Sequence, residues 1–177
     1  MSIQAGTHQI GPDNGSLRIK TGREGAAAKA GHDLVLEAKS WSGTVEIGDN
    51  PSVSLTADPG SIEVVEGSGG AKPLTDKDKA DIKQGTSDKV LGSSQISFNS
   101  TSVQADDNSL KVDGDLSVAG SSKSISAPLS VGADGTVSGT ISLSQSDFGI
   151  KQYKALMGAL KVSDGVQVQV EAKLPTG

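Results

Sequence analysis

Few side chains in this sequence have the type and spacing to do chemistry. The histidines are His8 and His32, and cysteine is absent. A hydrolytic relay needs a nucleophile, a histidine and an orienting carboxylate in mutual contact. His32 and Asp33 are neighbours at the start of an alternating run, so their side chains point to opposite faces of a strand. His32 therefore reads as a structural residue near a strand mouth. Neither Gly-x-Ser-x-Gly nor Ser-x-x-Lys occurs, which removes two common settings of an activated serine. Without cysteine, a metal would have to be held mainly by carboxylates. Asp76-x-Asp78-x-x-Asp81 begins like a calcium loop, but Asp81 stands where the loop needs glycine, and Ser87 where it needs a bidentate glutamate. The run reads as a solvated helix face. Gly67-Ser68-Gly69-Gly70 lacks the Gly-Lys-Ser/Thr ending of a phosphate cradle and reads as a loop. Asn14-Gly15-Ser16 and Asn99-Ser100-Thr101 match the glycosylation sequon, a short pattern discounted without a secretory leader. No catalytic residue, metal site or cofactor is expected.

Composition excludes further classes. The net charge is −5. Arg18 and Arg23 are the only arginines, and no basic stripe is interleaved with aromatics, so a nucleic-acid partner is not expected. No apolar run reaches the roughly 20 residues of a membrane-spanning helix. Residues 1–11 have neither a basic nor an apolar leader segment. The expected compartment is the cytoplasm, or the periplasm or exterior if a leader has been removed. At 177 residues, one domain over residues 1–177 is expected.

The elements that must position any site are strands. Apolar residues alternate with polar ones in Leu34/Leu36/Ala38, Val45/Ile47, Val53/Leu55/Ala57 and Ile125/Ala127/Leu129/Val131. The longest such run is Val166/Val168/Val170/Ala172/Leu174. Strict alternation gives one dry and one wet face. Turn signals separate the runs, among them Gly48-Asp49-Asn50-Pro51, Asp58-Pro59-Gly60, Asp106-Asp107-Asn108 and Ala133-Asp134-Gly135. Many short strands between turns point to an antiparallel sandwich or barrel. Two segments break the rhythm. Thr75 to Leu91 opens with Thr75, Asp76 and Asp78, a plausible helix start. Lys151 to Lys161 carries Tyr153, Leu156, Met157 and Leu160 at helical spacing. Both read as short helices or structured loops on a β scaffold. Glu24 to Ala30 is a shorter, weaker case.

From residue 44 to residue 174 the order of motifs resembles one family. Val112-Asp113-Gly114-Asp115-Leu116-Ser117-Val118-Ala119-Gly120 leads into Ser122-Lys123-Ser124-Ile125. Asp147-Phe148-Gly149-Ile150 and Val162-Ser163-Asp164-Gly165-Val166 follow. Together they resemble the YceI-like family. Ser122 stands where that family has threonine, and Ser146 where it usually has arginine. The resemblance implies a single lipocalin-like antiparallel barrel of eight strands, with one or two short helices. It also implies a polyisoprenoid or another long-chain amphiphile held inside, and pairing as a homodimer.

Small and medium inward residues fit either an open cavity or a tightly filled barrel; the resemblance favours the cavity. The candidate lining is Leu34, Leu36, Phe98, Leu129, Phe148, Val168 and Val170, with Tyr153, Leu156, Met157, Leu160 and Trp41 over the mouth. Lys151 or Lys154 would meet a polar head. A carrier of a long apolar molecule ranks first, a filled-barrel interaction module second, and an enzyme third.

Overall fold

The computed structural model describes residues 3–70 and 72–177, with the side chains of Lys89, Ala155 and Leu156 set aside. The strands are β1 (Gly6–Ile10), β2 (Gly15–Glu24), β3 (Asp33–Ala38), β4 (Trp41–Ile47), β5 (Ser52–Ala57), β6 (Ile62–Ser68), β7 (Ile96–Ala105), β8 (Ser109–Val118), β9 (Ser121–Val131), β10 (Thr136–Ser144), β11 (Lys154–Ala155) and β12 (Leu160–Lys173). A single α-helix, α1 (Asp76–Gly85), is assigned among the described residues. All strand pairs are antiparallel, in the order β1-β4-β5-β7-β8-β9-β10-β12-β2-β3-β6, with β11 beside β12.

The all-β architecture agrees with the alternation, but the strand count does not. The sheet has twelve strands instead of eight, eleven of them on one path. The cause is three sharp corners. β1 turns into β2, β3 into β4 and β5 into β6, and each half takes different neighbours. The last two corners are stapled together: Lys39 N–H donates to Ser61 C=O at 3.1 Å, and Asp58 N–H to Ser40 C=O at 3.0 Å. At the first corner the Asn14 side chain accepts from Gly11 N–H and donates to Gln9 C=O. Counting each bent pair as one strand takes the eleven on the path to eight, and the pairing curls back on itself through the bends.

Register sorts the inward residues into rows. Leu143, Val166, Thr21 and Leu34 lie side by side on β10, β12, β2 and β3. The next row is Ile141, Val168, Ile19 and Leu36. Further along, Val137 opposes Ala172. Burial deepens in that direction. Ala172, Leu174, Val137, Leu110 and Val112 are buried, whereas Val166, Val168, Ile141 and Leu143 are only partly so. One end of the barrel is therefore the more closely packed, and Ile3, Ile10 and Trp41 join that core. The chain ends tie it shut: Ile3 bridges Thr176, and Gln4 N–H donates to Pro175 C=O at 2.8 Å.

The segment from Thr75 does form a helix. Thr75 Oγ1 accepts from Asp78 N–H while the Asp78 carboxylate accepts from Thr75 N–H, a reciprocal cap. The helix runs into a wider π turn over Thr86–Leu91. The segment from Lys151 does not form one. Lys154 and Ala155 pair with Lys161 and Leu160, making a hairpin around a short 3₁₀ turn. Met157 adopts φ 56° at its tip, a left-handed conformation that interrupts any helical face. Glu24 to Ala30 contains only a 3₁₀ turn at Ala28–Ala30.

The two ends should respond differently to truncation. Leu110 is 2 % exposed, so Leu110→Ala should cost about 2–5 kcal/mol in denaturant unfolding. Leu143 faces open space and has fewer contacts to lose, so Leu143→Ala should cost about 1 kcal/mol or less. Equal costs would contradict the burial gradient.

Candidate ligand-binding cavity

The barrel encloses a cavity of about 440 Å³, lined by partly buried residues and by core residues such as Leu110, Val137 and Leu174, and within the range of small-molecule sites. Its wall is almost entirely aliphatic. Thr21, Asp81, Thr86, Gln145 and Tyr153 are the lining residues with polar side-chain atoms. They lie toward the loosely packed end or on the segments over it. The remaining wall is Val, Leu, Ile and Ala with Gly85, Phe98 and Phe148. Phe98 on β7 stands opposite Leu116 on β8, and Gly114 makes room for its ring: a Cβ there would sit 2.6 Å from Phe98 Cζ. Phe148 packs with Leu116 and Ile150 in a second buried cluster.

The covering segment is α1 with its π turn. Ile82, Val90 and Leu91 point to the cavity. On the other side, Lys83 Nζ donates to Glu63 Oε1 of β6 at 2.7 Å. That hydrogen bond, and then the lysine charge, hold the Glu63 carboxyl below its ordinary range. The cap does the same for Asp78, through the Thr75 backbone N–H first and its hydroxyl second.

Eight of the twelve candidate residues line this cavity: Leu34, Leu36, Phe98, Leu129, Phe148, Tyr153, Val168 and Val170. Four do not join them. Trp41 is buried in the packed core. Met157 is fully exposed, because it sits at a hairpin tip and not on a helix. Leu160 belongs to β12, and its methyls pack against Gly31, where a Cβ would lie 2.7 Å from Leu160 Cδ1. The Leu156 side chain lies outside the described residues. Lys151 and Lys154 are exposed and are not on the wall. The reading of the sequence missed Ile141 and Leu143, whose alternation with Val137 was broken at Gly139. It also missed Ile82, a single apolar residue among charges.

His8 Nε2 and His32 Nε2 each lie 2.6 Å from a backbone carbonyl oxygen, of Gln4 and Lys72. Among the described residues no three His, Asp or Glu converge as metal ligands, and no polar or charged residue is buried.

The sequence matches the YceI-like domain family over residues 18–174. The chain belongs to the YceI-like family. Solved structures agree on the fold. The chain is similar to BcnA of Burkholderia cenocepacia, with a TM-score of 0.63 at 18 % identity over 89 % of this chain and 94 % of that one. It is similar to a polyisoprenoid binding domain from Saccharophagus degradans implicated in plant cell wall breakdown, with a TM-score of 0.60 at 12 % identity over 97 % and 100 %. A Campylobacter jejuni YceI protein gives a TM-score of 0.58 at 16 % identity over 80 % and 84 %. No curated protein matches the sequence.

Two outcomes follow from this YceI-like cavity. Met157→Asp should leave uptake of a long-chain probe unchanged in a fluorescence titration, since its side chain is fully exposed; lost uptake would place the hairpin tip at the ligand. Acid should loosen the cover. Glu63 and Asp78 have depressed folded-state pKa values, so their contribution is complete above the ordinary carboxylate range and disappears as pH falls through the depressed values. Amide protection factors in α1 should fall over that window, and Lys83→Gln should flatten the Glu63 part of the profile.

Proposed function

We propose that this YceI-like protein binds and carries a long-chain apolar molecule, a polyisoprenoid or fatty-acyl amphiphile, inside the barrel. The observation that carries this reading is the aliphatic cavity, about 440 Å³, with its polar side chains confined to the rim. Such a wall offers no directional contacts to a compact polar metabolite. It does reward apolar length, since each buried methylene contributes about 0.8 kcal/mol against an association cost of about 4–15 kcal/mol. Ten or so buried carbons are then the least that bind usefully. The polyisoprenoid binding domain of Saccharophagus degradans, which shares the fold, supports the same ligand class. On this reading the protein is a carrier, not an enzyme.

Native mass spectrometry of the purified protein, followed by organic extraction, should release one long-chain species per chain that rebinds after delipidation. Val168→Trp would fill the centre of the cavity wall and should weaken rebinding of a prenyl alcohol by about a hundredfold, a loss near 2.7 kcal/mol. Ligand-free protein that takes up neither prenyl nor fatty-acyl probes would instead indicate an interaction module.

A further inference from the structure

One seam of the barrel wall is incomplete. β9 and β10 are joined by a tight hairpin, yet their ladder registers only Val137 with Val131 and Ser138 with Ser130. β9 continues back to Ser121 and β10 on to Ser144, so most of each strand has no ladder partner across the seam. By contrast β8 pairs with β9 from Ser109–Ser130 to Val118–Ser121.

Pro128 accounts for where the ladder stops. Backbone groups along an antiparallel strand face alternate sides. Val131 N–H donates to Asn108 C=O beside β8, while Gly132 N–H donates to Thr136 C=O beside β10. The even-numbered residues of β9 therefore face β10, Pro128 among them, and proline has no N–H to give. The ladder ends one step before it. At this point the strands are still close: a Cβ on Gly139 would lie 2.8 Å from Pro128 C=O. Beyond it a fissure of about 240 Å³ opens, edged by Ser124, Ser126, Ser142 and Ser144.

The fissure lies directly against the barrel cavity. Ile125, Ile141, Leu143 and Phe148 line both the fissure and the large cavity. Its far end is spanned by Lys123 Nζ and Asp147 Oδ1, 3.3 Å apart. The charges around it do not suit an anion. Lys123 is already paired with Asp147. Ser124 donates to Asp115 at 2.9 Å and Ser126 donates to Asp113, which places two more carboxylates beside the opening. What the fissure offers is strand backbone N–H and C=O groups and serine oxygens.

We propose that this fissure is a headgroup site: the uncharged, hydrogen-bonding head of a long-chain ligand, a hydroxyl or carbonyl, leaves the barrel sideways between β9 and β10 while its chain lies in the cavity. The proposal rests on the carrier reading and adds where the head sits and what chemistry it has.

The test uses geranylgeraniol isotopically labelled at its carbinol carbon, geranylgeranyl phosphate, and phytane as a hydrocarbon without a head. Nuclear Overhauser contacts from the carbinol to the amides of Ser126 and Ser142 are expected. The alcohol should bind about tenfold more tightly than the phosphate, the scale of one or two hydrogen bonds and an unfavourable charge. Pro128→Val supplies the missing donor and suits a strand, so it should extend the ladder and weaken the alcohol about tenfold while leaving phytane unchanged. Carbinol contacts to Ile82 and Thr86 would put the head under α1 and overturn the fissure while the carrier reading stands. Equal loss of alcohol and phytane in Pro128→Val would also overturn it. Failure of all three probes to bind the wild-type protein would overturn the carrier reading, and the headgroup site with it.

Discussion

Backbone hydrogen bonding around a curled sheet fixes how far apart opposite walls stand, and side-chain volume decides whether they meet. An eight-strand circuit encloses a space that side chains are just able to fill. This chain supplies few large ones. Its aromatic residues are Trp41, Phe98, Phe148 and Tyr153, and they are not spread evenly. Trp41 sits in the packed core with Ile3, Ile10 and Leu174. Phe148 stands in a separate cluster at the other end. Between them the rows are Val, Ile and Leu with Thr21, and the cavity lies where those side chains are too short to close the gap.

That same constraint explains what was legible in the sequence. Period-two alternation reports which residues face inward, so Leu34, Leu36, Val168 and Val170 could be placed on the wall by pattern alone. It does not report how far a strand runs before it bends. The corners at 39–40 and 58–61 are set by backbone bonds between segments distant in sequence, such as Lys39 to Ser61, and the corner at 11–14 by the Asn14 side chain. They turned an eight-strand expectation into eleven on one path, and the hairpin strand β11 adds the twelfth. The Lys151–Lys161 segment failed for a related reason. Its apolar spacing fits a helix, but β12 offers an edge that Lys154 and Ala155 pair with, and a β partner outweighs a weak local preference.

Covering elements were the least legible. α1 announces its start through Thr75 and Asp78, yet nothing in its charged sequence says that Ile82 turns toward a cavity. That orientation depends on Lys83 reaching Glu63 on β6, a contact between residues 20 apart. Pro128 is the converse case. It interrupts the polar side of an alternating strand, but its consequence depends on which neighbour its nitrogen faces. Facing β8, it would have broken a long ladder; facing β10, it marks where the wall parts.

The packed end also gives the cavity a direction. Leu110, Val112, Ala172 and Leu174 are buried and line the deep part of the cavity, so on the carrier reading a chain would enter from the covered end or through the seam. A flexible chain advancing from either side would bury apolar surface with every carbon it adds, and among the described residues it would meet no buried polar group. Selectivity cannot come from such a wall, because methylenes are interchangeable against valine and isoleucine. It has to come from chain length, which the packed end limits, and from the few polar groups where the wall stops. On the carrier reading, the barrel interior would therefore govern how tightly a chain is held, and its rim and seam which chain it is.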